Sequence, residues 1–168
     1  MPHDAEQLEA NKAVIRRIYD EAYNGGDPSL FDTLYTPDFV HHSKTIHDIT
    51  PGAAGERESM QRFRGAIPDV HFTLLQQVAE GDMVATRLRI AGTPEGDFGT
   101  IRGRDETFEV HALALFRLSG GRVAEEWLFV DGGTELESRA QASGSDSKAA
   151  SRRPAWPTTG PPGRTPPG

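Results

Sequence analysis

A few side chains in this sequence could move a proton or hold charge inside a closed site. Glu126 lies in the run Val123-Ala-Glu-Glu-Trp-Leu-Phe-Val-Asp131. A carboxylate enclosed by apolar residues has a raised pKa and suits general acid/base work near neutral pH. The same residue could instead sit at a cavity mouth or pair with Arg87 or Arg89. His41 and His42 form the second candidate, because imidazole titrates near neutral pH and can shuttle protons. In an extended segment only one of the two can point inward. Arg87 and Arg89 share one face of the run Met83-Val-Ala-Thr-Arg-Leu-Arg-Ile90. They could orient a carboxylate or polarise a carbonyl or epoxide, although a solvated or ion-paired face fits the same pattern. Tyr19 and Tyr35 could hydrogen-bond a substrate oxygen, yet helical aromatics more often fill a core. His41, His42, His47 and Asp48 have metal-ligand types without a recognised ligand spacing, so no metal is expected.

Those residues need elements to position them. Residues 7–24 carry Leu8, Val14, Ile15, Ile18, Ala22 and Tyr23 near one face at helical spacing, and Asn24-Gly-Gly-Asp27 stops the helix. Asp27 and Pro28 then suit the cap and first residue of a second helix over about 28–35. Pro37 ends it, and residues 38–42 form a short extended piece. A polar loop spans 43–52, with His47 and Asp48 on a stretch that could lid a pocket. A third helix follows at about 53–65, with Met60, Phe63 and Ala66 facing in. Strands are predicted over 70–79, 83–91, 106–117 and 122–131, separated by Gly-containing turns. Gly120-Gly121 between the last two is a strong hairpin signal.

The long last hairpin requires a curved sheet with helices over one face. The expected fold is therefore α+β, a cone-shaped curved antiparallel sheet with N-terminal helices covering its concave face. If Leu128 faces the pocket, so do Ala124, Glu126 and Val130, beside Val110, Ala112, Ala114 and Phe116. The opposite face carries Leu113, Leu115, Trp127 and Phe129, with His111 and Glu125. Both faces being largely apolar, a second copy is expected to cover the outer one, giving a homodimer built sheet to sheet.

Composition narrows the remaining classes. The 168 residues are 36% hydrophobic and 26% charged, with a net charge of −7. Residues 1–137 hold 13 basic against 24 acidic side chains, whereas 138–168 hold 5 against 1. An acidic folded part argues against nucleic acid as a partner. Lys occurs only at positions 12, 44 and 148. No Cys is present, which excludes disulfides, thiolate metal sites and thiol nucleophiles. No stretch approaches membrane-spanning length, and the N-terminus lacks a signal pattern, so no membrane contact and a cytoplasmic location are expected. The division expected is one domain over 1–137 and a disordered Ser/Gly/Pro-rich tail over 138–168.

Several blocks together resemble a known family. Asn11-Lys-Ala-Val-Ile-Arg-Arg-Ile-Tyr19, Asn24-Gly-Gly-Asp27 and Thr36-Pro-Asp-Phe-Val-His-His42 are similar to the opening of the SnoaL-like polyketide cyclases. Gly81-Asp-Met-Val-Ala-Thr-Arg87, Gly92-Thr93 and Phe116-Arg117 followed by Gly121-Arg-Val-Ala-Glu-Glu-Trp127 match later landmarks. The resemblance implies the cone shared with nuclear transport factor 2 and ketosteroid isomerase. It also implies intramolecular aldol closure of a polyketide ester, without metal or cofactor. The Asp and His that the best-known cyclases use would fall on Leu128 and Ala114, which cannot move protons. An Asn often found in the early motif falls on His41, favouring His41 over His42.

The expectation is a cofactor-independent cyclase or isomerase acting on a polyketide-like or other apolar small molecule, by ring closure or epoxide opening. Glu126, His41 and Arg87 are its catalytic candidates. Tyr19, Tyr35, His42, Arg89, Ala112, Ala114, Phe116 and Leu128 are its substrate-binding candidates. No Gly-rich phosphate loop or Gly-x-Ser-x-Gly turn suggests a cofactor or a serine nucleophile. The alternatives are a non-catalytic binding or accessory protein of the same fold, or a dimerisation scaffold.

Overall fold

The computed structural model describes residues 5–42, 50–98, 101–103 and 106–131. The tail expected over 138–168 lies outside them, as do His47 and Asp48. Helix α1 (Ala5–Arg17) continues directly into a π-helical stretch, Ile18–Asn24. Its inner face buries Ile15, Ile18, Tyr19 and Ala22. The chain then turns at Asp27, whose side chain accepts a hydrogen bond from the Ser29 amide, with Pro28 in the first position of a 3-10 turn. A short helix α2 (Phe31–Leu34) leads straight into β1 (Tyr35–His41). Helix α3 (Ala53–Ala66) precedes four strands: β2 (His71–Glu80), β3 (Met83–Gly92), β4 (Phe108–Ser119) and β5 (Arg122–Asp131).

The sheet order is β1-β5-β4-β3-β2. The last four strands form an antiparallel meander, as expected. Gly120 and Gly121 both take positive φ, 57° and 75°, in the two-residue turn between β4 and β5. That backbone matches the right-handed twist of the strands it joins. The expected curved antiparallel sheet is present, with one parallel pairing added at its edge. The extended piece at 38–42 is a full fifth strand, and it pairs with β5 in parallel. Pro37 is accommodated because β1 is an edge strand. Between Tyr35 and Val40 the register shifts through an irregularity, after which His41 lies beside Glu126.

The curved, unclosed sheet and its helices enclose one aromatic-rich core. Phe31 stacks on Tyr35 with ring centroids 5.2 Å apart. Tyr35 meets Phe39 edge-on at 4.7 Å. Tyr23 packs on Phe72 at 4.9 Å.

Helix α3 is anchored to β1 through its start. The Gly52 amide donates to the Phe39 carbonyl at 3.0 Å. Gly52 has φ 87°, and a Cβ there would strike the Pro37 carbonyl. The helix can approach β1 this closely only because position 52 has no side chain. Gly52→Ala should therefore cost about 1–3 kcal/mol, the usual range for a strained backbone. Urea unfolding checks this, and an unchanged midpoint would remove the argument.

Candidate active site

Pleating sorts β4 and β5 into two faces. Glu126 lies opposite Phe116, Leu128 opposite Ala114, and Val130 opposite Ala112. Ala112, Ala114 and Phe116 are buried on the inner face, as the sequence pattern predicts, and Leu128 is half-buried with them. Glu126 is only 4% exposed. On its other side the parallel pairing sets His41 as its neighbour. The His42 amide donates to the Glu126 carbonyl at 2.7 Å, which fixes the two strands at this level. Alternation then turns His42 outward. Its ring stacks on Trp127 at 4.6 Å, and its Nε2 pairs with Glu125 at 2.8 Å.

Two residues that sequence reasoning does not single out complete the constellation. Glu56, in the first turn of α3, is 2% exposed. The Tyr23 hydroxyl donates to its Oε1 at 2.6 Å. Its Oε2 lies 3.0 Å from His41 Nδ1, and the His41 side chain is 5% exposed. Glu56 lies four residues before Met60 and seven before Phe63, both placed inward from the sequence. The same helical spacing was the available signal for Glu56. Tyr23 comes from the π-helical stretch, which also carries Tyr19; their rings stack at 5.5 Å. Such stretches recur at functional sites.

Among the described residues three buried side-chain polar atoms have no hydrogen-bond partner: Tyr35 Oη, Thr36 Oγ1 and His41 Nε2. An unpaired buried polar group costs about 1–3 kcal/mol, so such groups are uncommon without a purpose. Tyr35 stands at the start of β1 rather than on a helix. Burial and the carboxylates of Glu126 and Glu56 all push its hydroxyl proton to be held more tightly. Tyr19 is held in the same way. Both phenols remain protonated donors at any ordinary pH.

The acid/base groups are strongly displaced. Burial pushes the Glu126 carboxyl up to about 8; the His41 charge opposes this and the Glu56 charge adds to it. For His41, burial disfavours the imidazolium, but the Glu56 hydrogen bond and the charges of Glu126 and Glu56 prevail and raise it to about 9. Burial therefore favours the protonated form of Glu126, and the Glu56 hydrogen bond favours the imidazolium of His41.

One donor atom from each of His41, Glu56 and Glu126 lies within 4.8 Å of the other two. These residue types could hold a divalent cation. Both Glu56 oxygens are already engaged by Tyr23 and His41, so the group is organised as a hydrogen-bonded network.

The remaining candidates need correction. Arg87 and Arg89 are exposed on the outer face, opposite Leu113 and His111. Arg89 pairs there with Glu109 at 3.7 Å. Side-chain alternation separates them from the interior, so they do not join Glu126. His42 is excluded from the interior for the same reason.

The family-level comparison agrees with this architecture. The model of the SnoaL-like polyketide cyclase family matches residues 13–137. This chain belongs to that family. Among solved structures, it resembles IdmH from Streptomyces antibioticus, a proposed polyketide cyclase, at 28% identity and TM-score 0.64, covering 77% of this chain and 98% of that one. It is also similar to TsrD from Streptomyces laurentii, at 25% identity and TM-score 0.66, covering 73% and 89%. A SnoaL-like protein from Jannaschia shares the fold at 20% identity and TM-score 0.69, covering 83% and 95%. No curated protein matches the chain. Among the described residues no helix is long and apolar enough to cross a membrane. Within this SnoaL-like chain, the positions that the resemblance gives to the cyclase Asp and His are Leu128 and Ala114, directly paired and apolar.

The displaced groups predict how stability depends on pH. Glu126 and His41 are both raised above their ordinary values of 4.5 and 6.5. Their stabilising contributions are therefore complete in acid and disappear as pH rises through the folded-state values. The window runs from about 4.5 to 8 for Glu126 and from 6.5 to about 9 for His41. Thermal melts should show Tm falling between pH 6.5 and 9. Glu126→Gln should flatten that fall and exceed the wild type at pH 9; parallel curves for both proteins would contradict it.

Proposed function

We propose that this SnoaL-like protein is a cyclase or isomerase using general acid/base catalysis, without a cofactor, on an apolar, oxygen-bearing small molecule such as a polyketide. The observation carrying this reading is the Glu126 carboxyl, buried between Phe116 and His41 in an aromatic interior, where burial favours its protonated form. In such surroundings a neutral carboxyl donates to an oxygen that is gaining negative charge, whether a carbonyl in ring closure or an epoxide in opening. His41 Nε2 and the Tyr35 hydroxyl, both without a partner among the described residues, can hold that oxygen or a neighbouring one. Ala112, Ala114 and Leu128 supply the apolar wall, and Tyr19 the aromatic one.

The test compares metabolites in the native host for the wild type, a deletion, and the deletion complemented with Glu126→Gln. Both altered strains should accumulate the same uncyclised or unopened precursor, and in vitro turnover on it should fall about 10²–10⁴-fold. Because Glu126 acts in its protonated form, turnover should also decline above about pH 8. Full complementation by the Gln variant would remove Glu126 from the chemistry.

A second reading, a non-catalytic binding or accessory protein, is favoured by the apolar Leu128–Ala114 pair. It is distinguished in the same experiment by an unchanged metabolite profile in the deletion strain.

We also propose that the outer sheet face forms a homodimer. Leu113 and Phe129, paired across β4 and β5, are 48% and 60% exposed, and Val78 on β2 is 60% exposed. Exposed apolar clusters on a sheet commonly mark such contacts. Light scattering should give twice the chain mass, and Leu113→Glu with Phe129→Glu should give a folded monomer. A monomeric wild type at micromolar concentration would reject this arrangement.

A further inference from the structure

Each oxygen of the Glu56 carboxylate already has a protein partner, and the residue is only 2% exposed. Oε1 accepts from Tyr23, and Oε2 is bonded to His41 Nδ1. Glu56 and His41 are both enclosed, and His41 Nε2 has no partner among the described residues. We propose that Glu56 is a positioning residue, braced by Tyr23, which binds the Nδ1 proton of His41 and thereby fixes Nε2 as the nitrogen that meets the substrate. This rests on the acid/base reading above and deepens it.

Each of the three residues arrives on a different element. Tyr23 comes from the π-helical stretch, Glu56 from α3, and His41 from β1. A buried imidazole held by one hydrogen bond to an anchored carboxylate has its ring plane and tautomer set before substrate arrives. The titratable groups around His41 are Glu56 from α3 and Glu126 from β5. Tyr23, Tyr19 and Tyr35 surround the two carboxylates. Glu126 is left as the group able to exchange a proton with substrate, while Glu56 holds the imidazole in place.

The test uses nitrogen NMR of the histidine-labelled full chain, with wild type, Glu56→Gln and Tyr23→Phe. Above its titration, wild-type His41 should carry its ring proton on Nδ1. Glu56→Gln should lower its midpoint by about 1–3 pH units, the usual effect of removing an opposite charge at this distance. Tyr23→Phe should lower it less and keep the tautomer. With a substrate in hand, Glu56→Gln should reduce kcat more than KM, and Glu56→Asp should restore part of it. A folded Glu56→Gln protein with an unchanged His41 midpoint would overturn the proposal. If that variant does not fold, wild-type His41 with its neutral proton on Nε2 overturns it equally. The NMR readouts need no turnover, so they separate failure of this proposal from failure of the catalytic reading.

Discussion

Three ionisable side chains buried in one aromatic interior are the constraint around which this protein is arranged. A lone carboxylate or imidazolium removed from water is strongly disfavoured. Here two of the three satisfy each other: Glu56 bonds His41, and Tyr23 occupies the second oxygen of Glu56. For Glu126 the same penalty raises the pKa and favours the protonated form. The outcome is a bonded imidazole–carboxylate pair, a second carboxyl whose protonated form burial favours and, among the described residues, polar atoms without a protein partner. The site is surrounded by Phe31, Phe39, Phe72 and Phe116, which keep the local dielectric low.

The architecture serves that cluster. The parallel pairing of β1 with β5 makes His41 and Glu126 neighbours, and the β4–β5 hairpin sets Phe116 on the other side. Gly52 allows α3 to lean on β1, delivering Glu56 to His41. A shift of β5 by one residue would exchange Glu126 for an outward-facing neighbour, because strand side chains alternate. The register irregularity in β1 between Tyr35 and Val40 is thus part of how the site is built.

Family membership and chemistry separate at the level of individual residues. The SnoaL-like family match runs over residues 13–137, and the two positions to which the resemblance assigns the cyclase Asp and His are a paired Leu128 and Ala114. Glu126 lies two residues earlier on the same strand face as Leu128, so the same wall of the cone presents a carboxyl one pleat away.

The sequence by itself determined the helices, the antiparallel meander and its inner face. These follow from local periodicity and turn residues, and Ala112, Ala114, Phe116 and Glu126 were legible from alternation along two strands joined by Gly120-Gly121. Alternation left His41 and His42 as alternatives, with only the resemblance favouring His41, and the structure turns His42 outward onto Trp127 and Glu125. Tertiary structure alone decided what these residues meet. The parallel β1–β5 contact joins segments about eighty residues apart, and no local pattern encodes its register. Glu56 had the helical spacing of a core position but the residue type of a surface one, and only the hydrogen bonds from Tyr23 and to His41 make its burial favourable. Arg87 and Arg89 lie on the outer face because pleating assigns it to them. Chemical suitability in the sequence could not reveal that, since the face a strand turns inward depends on everything packed against it.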